Sequence, residues 1–227
     1  MTESPNAIAP LQWKADEFTG DLIASDTEGN WEIGPVFMTS CPIRFRLTGW
    51  DHDRDGNLAE AYENADIHSV ERHRLANLLG YPAHSQATAK TQDDAVIAIE
   101  ALRSGDPDLK GVEFLLNSGF RAAPLPAYFA NKSARVLSRK SQTGKFTIEM
   151  VDDVIRLEHD RRGNSTTLLR FLKNGPTINS SKTHFWPDHI ELNFETLAVQ
   201  AAIKVADAFI ASGRIYPTPR ATQAIAA

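Results

Sequence analysis

The sequence predicts an α+β fold: antiparallel β meanders packed with several helices, one of them a long apolar helix near the C-terminus. Three observations carry this. Residues 134–172 alternate apolar and polar side chains between turn residues, residues 195–212 repeat apolar side chains at helical spacing, and residues 18–50 hold short apolar runs divided by turn signals.

Taken in order, "DLIAS" and "WEIGPVF" flank Glu28-Gly29-Asn30 and read as a hairpin, followed by a third strand, "IRFRLTG". Alternation puts Ile43, Phe45 and Leu47 on one side of that strand and Arg44 and Arg46 on the other, so one face is buried and one is wet. Asp66 can cap a helix from Ile67 to Leu79, where Ile67, Val70, Leu75 and Leu78 recur at helical spacing before Gly80 and Pro82 stop it. Thr91 with Asp94 three residues on caps a second helix, "AVIAIEALRS", that ends at Gly105, and "DLKGVEFLLNSG" (108–119) predicts a third.

The prolines of "GFRAAPLPAYFAN" (119–131) hold it extended, and its aromatic residues need cover, which predicts an ordered strap across the core surface. "ARVLSRK", "KFTIEMV", "VIRLEHD" and "TTLLRFLK" then form the meander, with Phe146, Ile148 and Met150 on one face. In the last helix Ala198, Ala202, Val205 and Phe209 make one apolar row and Val199, Ile203, Ala206 and Ile210 another, beside a narrow polar row of Gln200, Lys204 and Asp207. So apolar a helix needs wide cover, from the rest of the chain or from a protein partner or second copy docked on 195–212.

With 227 residues, 42% hydrophobic and 23% charged, the chain can build a core without staples; we expect a single α+β domain over 11–215 with flexible tails at 1–10 and 216–227. A formal charge of −5 gives phosphate backbones no general attraction, so nucleic acid is not an expected partner, although "SARVLSRKSQTGK" (133–145) and Arg161-Arg162 are locally basic. One cysteine, Cys41, rules out an intrachain disulfide and fits a reducing compartment; with no secretory-type start and no membrane-length apolar run, the expected location is cytoplasmic.

The segment richest in possible chemistry is "WDHDRDGNLAE", where Asp51, Asp53 and Asp55 alternate before Gly56. Three carboxylates from a loop that glycine lets turn sharply suit a hard cation that wants six to eight oxygens. The helix–loop–helix calcium motif needs a bidentate glutamate at loop position 12, where this chain has Tyr62, and its entering helix is replaced by a strand. "DHDRDGNLAE" resembles instead the shorter Excalibur-type calcium loop, with Ala59 where that family has cysteine and Glu60 in the glutamate place. The resemblance covers ten of the 227 residues and implies calcium, or another divalent cation, on Asp51, Asp53, Asp55 and Glu60.

The bland alternative is a polar bend between strand and helix. Of the seven histidines, "HSVERH" is not a helical zinc set, because His68 and His73 are five apart, and His184 and His189 fall on opposite faces of the chain if it is extended. Glycine fingerprints for nucleotides and hydrolase elbows are missing from the sequence. Three functions follow in order: a non-catalytic intracellular binding or assembly (accessory) protein, a metal-dependent hydrolase using Asp51, Asp53 or Asp55 with His68, His184 or His189, and a calcium-loop protein.

Overall fold

The computed structural model describes residues 8–17, 20–27, 29–36, 44–50, 87–109, 115, 117–129, 133–178, 181–184 and 186–214. The fold is α+β, and its backbone is an antiparallel sheet. The first strands are β1 (Lys14–Ala15), β2 (Leu22–Ser25), β3 (Asn30–Val36), β4 (Arg44–Trp50) and β5 (Ala87–Ala89). After helix α1 (Gln92–Ser104) come β6 (Arg121–Ala122), β7 (Ala134–Lys140), β8 (Lys145–Val151), β9 (Val154–Arg161) and β10 (Asn164–Leu172). A two-stranded ribbon, β11 (Asn174–Ile178) and β12 (Ser181–His184), leads to helices α2 (Asp188–Leu192) and α3 (Phe194–Ala211).

Strand order is β1-β2-β3-β4-β5-β10-β9-β8-β7-β6, ten strands in one sheet. Two meanders thus meet at β5. Ala89 stands opposite Phe45 of β4 and Leu169 of β10, and Thr88 opposite Arg46 and Arg170, so three residues carry the join on both sides. Each edge strand is only two residues long, which leaves little unpaired backbone for another sheet to extend.

The turns explain why the second meander is tight. Arg162 and Gly163, between β9 and β10, have φ of 56° and 83°, the pair of left-handed residues that a two-residue type I′ hairpin requires. At Gly144, before β8, φ is 149° and an added Cβ would stand 2.3 Å from the Asp160 carbonyl oxygen, so only glycine fits.

The helices cover one face. Phe146 and Ile148 of β8, Ile155 and Leu157 of β9, Leu169 and Phe171 of β10 and Ala87 and Ala89 of β5 share a buried cluster with Ile33 and Trp31 of β3. Ala95, Ala98, Ile99 and Leu102 of α1 and most of the apolar side chains of α3 complete it. Both rows of α3 pack within the chain: Ala198, Ala202, Val205 and Phe209, and Val199, Ile203 and Ala206, are buried, and Ile210 at the end of the second row is half-buried. Trp186 locks the start of α3, donating its indole N–H to the Leu172 carbonyl at 3.0 Å and packing between Phe171 and Phe194.

Thr91 caps α1, its Oγ1 accepting from the Asp94 N–H at 3.1 Å. At the far end of α1, buried Arg103 bonds Asp26 and Glu100, each at 2.7 Å, and reaches the Ala9 carbonyl, while the Leu11 N–H donates to Glu100. The strap expected at 119–131 adds β6 to the sheet edge and then makes a 3-10 turn, Ala127–Phe129. Buried Phe129 packs there with Val136 and Val151 on the face away from the helices. The helix expected over 67–79 lies outside the described residues, as does most of that at 108–119.

Candidate functional site

Asp51, Asp53, Asp55 and Glu60 lie outside the described residues, together with His52, His68, His73 and His84. The sheet fixes only where the chain departs toward them: β4 ends at Trp50, opposite Asn30 and beside the β2–β3 turn. Among the described residues, no three or more His, Cys, Asp or Glu side chains stand where they could hold a metal ion. His184 belongs to β12 and His189 to α2, so the second of that pair is helical and not extended.

Strand registers bring together a row that no single segment shows. In register, Gly34 of β3 stands opposite Arg46 of β4, Arg46 opposite Thr88 of β5, and Thr88 opposite Arg170 of β10, and Thr88 and Arg170 alternate with the core residues Ala87, Ala89, Leu169 and Phe171, which puts them on the face away from α1 and α3. Arg170 then stands opposite Arg156 of β9, and Arg156 opposite Glu149 of β8. Buried carboxylates bracket the row. Asp21 lies over Gly34, whose missing side chain leaves its place to the Asp21 carboxylate, 2.6 Å from where a Cβ would be. Glu149 lies at the other end, 3.7 Å from Arg156 Nη2.

Beside this row Glu158 is held by two hydroxyl donors, Thr167 Oγ1 at 2.6 Å and Ser165 Oγ at 3.0 Å. Neutral, opposite or β-branched cross-strand pairs stabilise a sheet, whereas like charges directly opposite destabilise it. Arg170 opposite Arg156 is such a like-charge pair, offset within the chain by Glu149 beside Arg156.

The basic stretch 133–145 is used differently. Arg135 pairs with Glu195, and Arg139 bonds Asp207 Oδ1 at 2.5 Å and the Ser118 carbonyl at 2.9 Å, so both tie β7 to the helix side of the sheet.

A second group sits inside the core. Alternation along β9 puts His159 on the face of Ile155 and Leu157, and its ring is 2% exposed. Its centroid is 4.7 Å from each of the Phe146 and Phe209 rings, and one ring nitrogen, Nε2, lies 3.2 Å from the Thr143 carbonyl. Burial lowers its pKa below the ordinary value of 6.5; the bond to the Thr143 carbonyl and the charge of Asp160 oppose this, and Arg161 adds to it. With the ring neutral, Nε2 carries the proton and donates to that carbonyl. The sequence held the signal, since "VIRLEHD" at period two makes His159 an inward position, but its acidic neighbours suggest a wet one.

Fold and site together define an α+β chain with one face closed by helices and a charged row across the other. No family model matches it, and no curated protein and no solved structure is found to be similar.

Proposed function

We propose that the protein is a non-catalytic binding or assembly factor, and that its contact surface is the sheet face opposite α1 and α3. The observation that carries this is the like-charged pair Arg170 and Arg156, opposite each other on neighbouring strands with Glu149 next in the register. Arg156 already has Glu149 within the chain, and a partner bearing carboxylates would meet the arginine pair with further opposite charge. A second copy would bring the same two arginines to the contact, so a different, acidic protein surface is the better fit. Because the apolar rows of α3 are buried within the chain, the 195–212 helix offers a partner little beyond its polar edge.

Fluorescence anisotropy with a labelled oligo-glutamate peptide at 50 and 200 mM salt tests the reading, with oligo-lysine and a DNA duplex as comparisons. We expect the acidic peptide to bind, more weakly at the higher salt, and the Arg156→Gln/Arg170→Gln variant to lose about tenfold in affinity. Binding of the peptide that the double variant keeps, or preference for the duplex, would sink it. A metal-dependent role of Asp51, Asp53, Asp55 and Glu60 is the competing outcome. It requires a melting-temperature shift with calcium, magnesium, manganese or zinc that Asp53→Asn abolishes.

A further inference from the structure

His159 stands at one end of a chain of contacts that closes the C-terminal end of α3 onto the start of α1. Its imidazole sits in a slot walled by Phe146 of β8 and Phe209 of α3, packing against both rings at 4.7 Å while they touch each other edge to face at 5.6 Å. The Phe209 ring also carries the Arg214 guanidinium, 5.2 Å from its centroid. Arg214 in turn bonds Asp94 Oδ1 at 2.7 Å and approaches Thr91 Oγ1 at 3.3 Å, and Asp94 is 0% exposed. Three elements are therefore joined through one aromatic ring: the β9 strand by His159, the end of α3 by Phe209 and Arg214, and the capped first turn of α1 by Thr91 and Asp94.

We propose that His159 is an acid-sensitive latch: taking up a proton drives its ring from the Phe146–Phe209 slot and releases the Arg214–Asp94 clamp between α3 and α1.

The surroundings decide the direction. Among the described residues a charged imidazolium in this slot keeps one acceptor, the Thr143 carbonyl, and its burial costs it water, so the site favours the neutral ring. On its own strand it is flanked by Asp160 and Arg161, with Lys145 of β8 opposite Asp160. From β7 and α3 come Arg139 and Asp207, which are bonded to each other, and from beyond α3 comes Arg214, bonded to Asp94. Asp207 and Asp94 thus have cationic partners, leaving Asp160 as the flanking carboxylate without a guanidinium bond in this set. The turn offers no relief, because a Cβ on Gly144 would already lie 2.7 Å from His159 Nε2. A protonated ring has to leave the slot, and Phe209 loses one of its packing faces when it does.

The histidine-specific test needs no variant. Deuterium exchange at imidazole Cε1, read peptide by peptide on the intact protein, gives the His159 midpoint; we expect it below about 6.5, and a midpoint at or above that value overturns the latch. Amide exchange corrected for intrinsic rates then reads the release. Between pH 7.5 and 5.0, protection should fall over 205–214 and 91–95 while β2 and β3 keep theirs. A fall shared equally by β2 and β3 is global loosening and counts against the proposal. In His159→Phe, which fills the slot without a titrating group, the selective loss should vanish; its persistence likewise overturns the idea.

Discussion

A buried carboxylate shows what one residue contributes here. Asp94 is fully shielded from water; one of its oxygens bonds Arg214, and the other has no hydrogen-bond partner among the described residues. Its charge is therefore balanced by Arg214 and by the start of α1, where the peptide N–H groups make the end positive. Removing one partner of such a pair leaves an uncompensated buried charge, so Arg214→Ala should cost about 3 kcal/mol in urea unfolding. Asp94→Asn in that background should recover part of the loss, since a neutral amide needs no counter-charge. If Arg214→Ala unfolds as the parent does, Asp94 is hydrated and this account fails.

The same scale sets the pH dependence. A histidine whose folded pKa lies below its unfolded value contributes nothing at pH well above 6.5, and stability falls as the pH drops through 6.5 because the unfolded chain takes up a proton that the fold refuses. The fall continues to the folded pKa, with a slope of at most about 1.4 kcal/mol per pH unit for one proton. Little of this was legible in the sequence. Asp94 announces itself only as a capping-box residue, and its ion partner is 120 positions away.

Elements were legible where a local pattern decides them. The meander strands and the Thr91–Asp94 cap follow from alternation and from side-chain chemistry within three residues, and both stand where those patterns put them. β5 did not follow: "ATA" has neither length nor bulk, and it is a strand because β4 and β10 supply partners on both sides. The α2 helix and the β11–β12 ribbon were hidden by proline and polar residues that read as loop. Gln200 is the instructive error within α3, assigned by helical phase to the polar row although it is buried. Its amide accepts from the Asp106 N–H at 3.0 Å and donates to the Asp106 carbonyl at 2.6 Å, pinning the turn after α1 to the side of α3. Gln200→Leu should lower stability by about 2 kcal/mol, because both backbone groups of Asp106 lose their partner and must find water. Gln200→Glu should recover only the N–H bond, giving an intermediate midpoint; equal midpoints for all three proteins would show that the pairing contributes nothing.

At the scale of the whole molecule, the question is whether two meanders joined by three residues unfold together. Sheet continuity through β5, with α1 and α3 packed on each other and on the shared face, argues that they do. Neither meander closes its own core: Ile33 and Trp31 from the first belong to the same buried cluster as Phe146, Leu157 and Phe171 from the second. The register across the sheet depends on that continuity as well, since Arg46 and Arg170 are each opposite Thr88.

Tryptophans report on both parts, Trp13 and Trp31 from the first and Trp186 from the second, all packed in the one cluster. Fluorescence and far-ultraviolet circular dichroism should therefore give coincident urea transitions in the parent protein. Thr88→Pro attacks the joint alone, because proline cannot donate to the ladder and is not tolerated between two hydrogen-bonded neighbours. It should lower stability by about 3 kcal/mol or more and separate the two probes, with the β7–β10 meander and α3 outlasting the β2–β4 strands. A variant that keeps both the midpoint and the coincidence would mean that β5 is no joint, and that the row of charges across it is a juxtaposition without mechanical support.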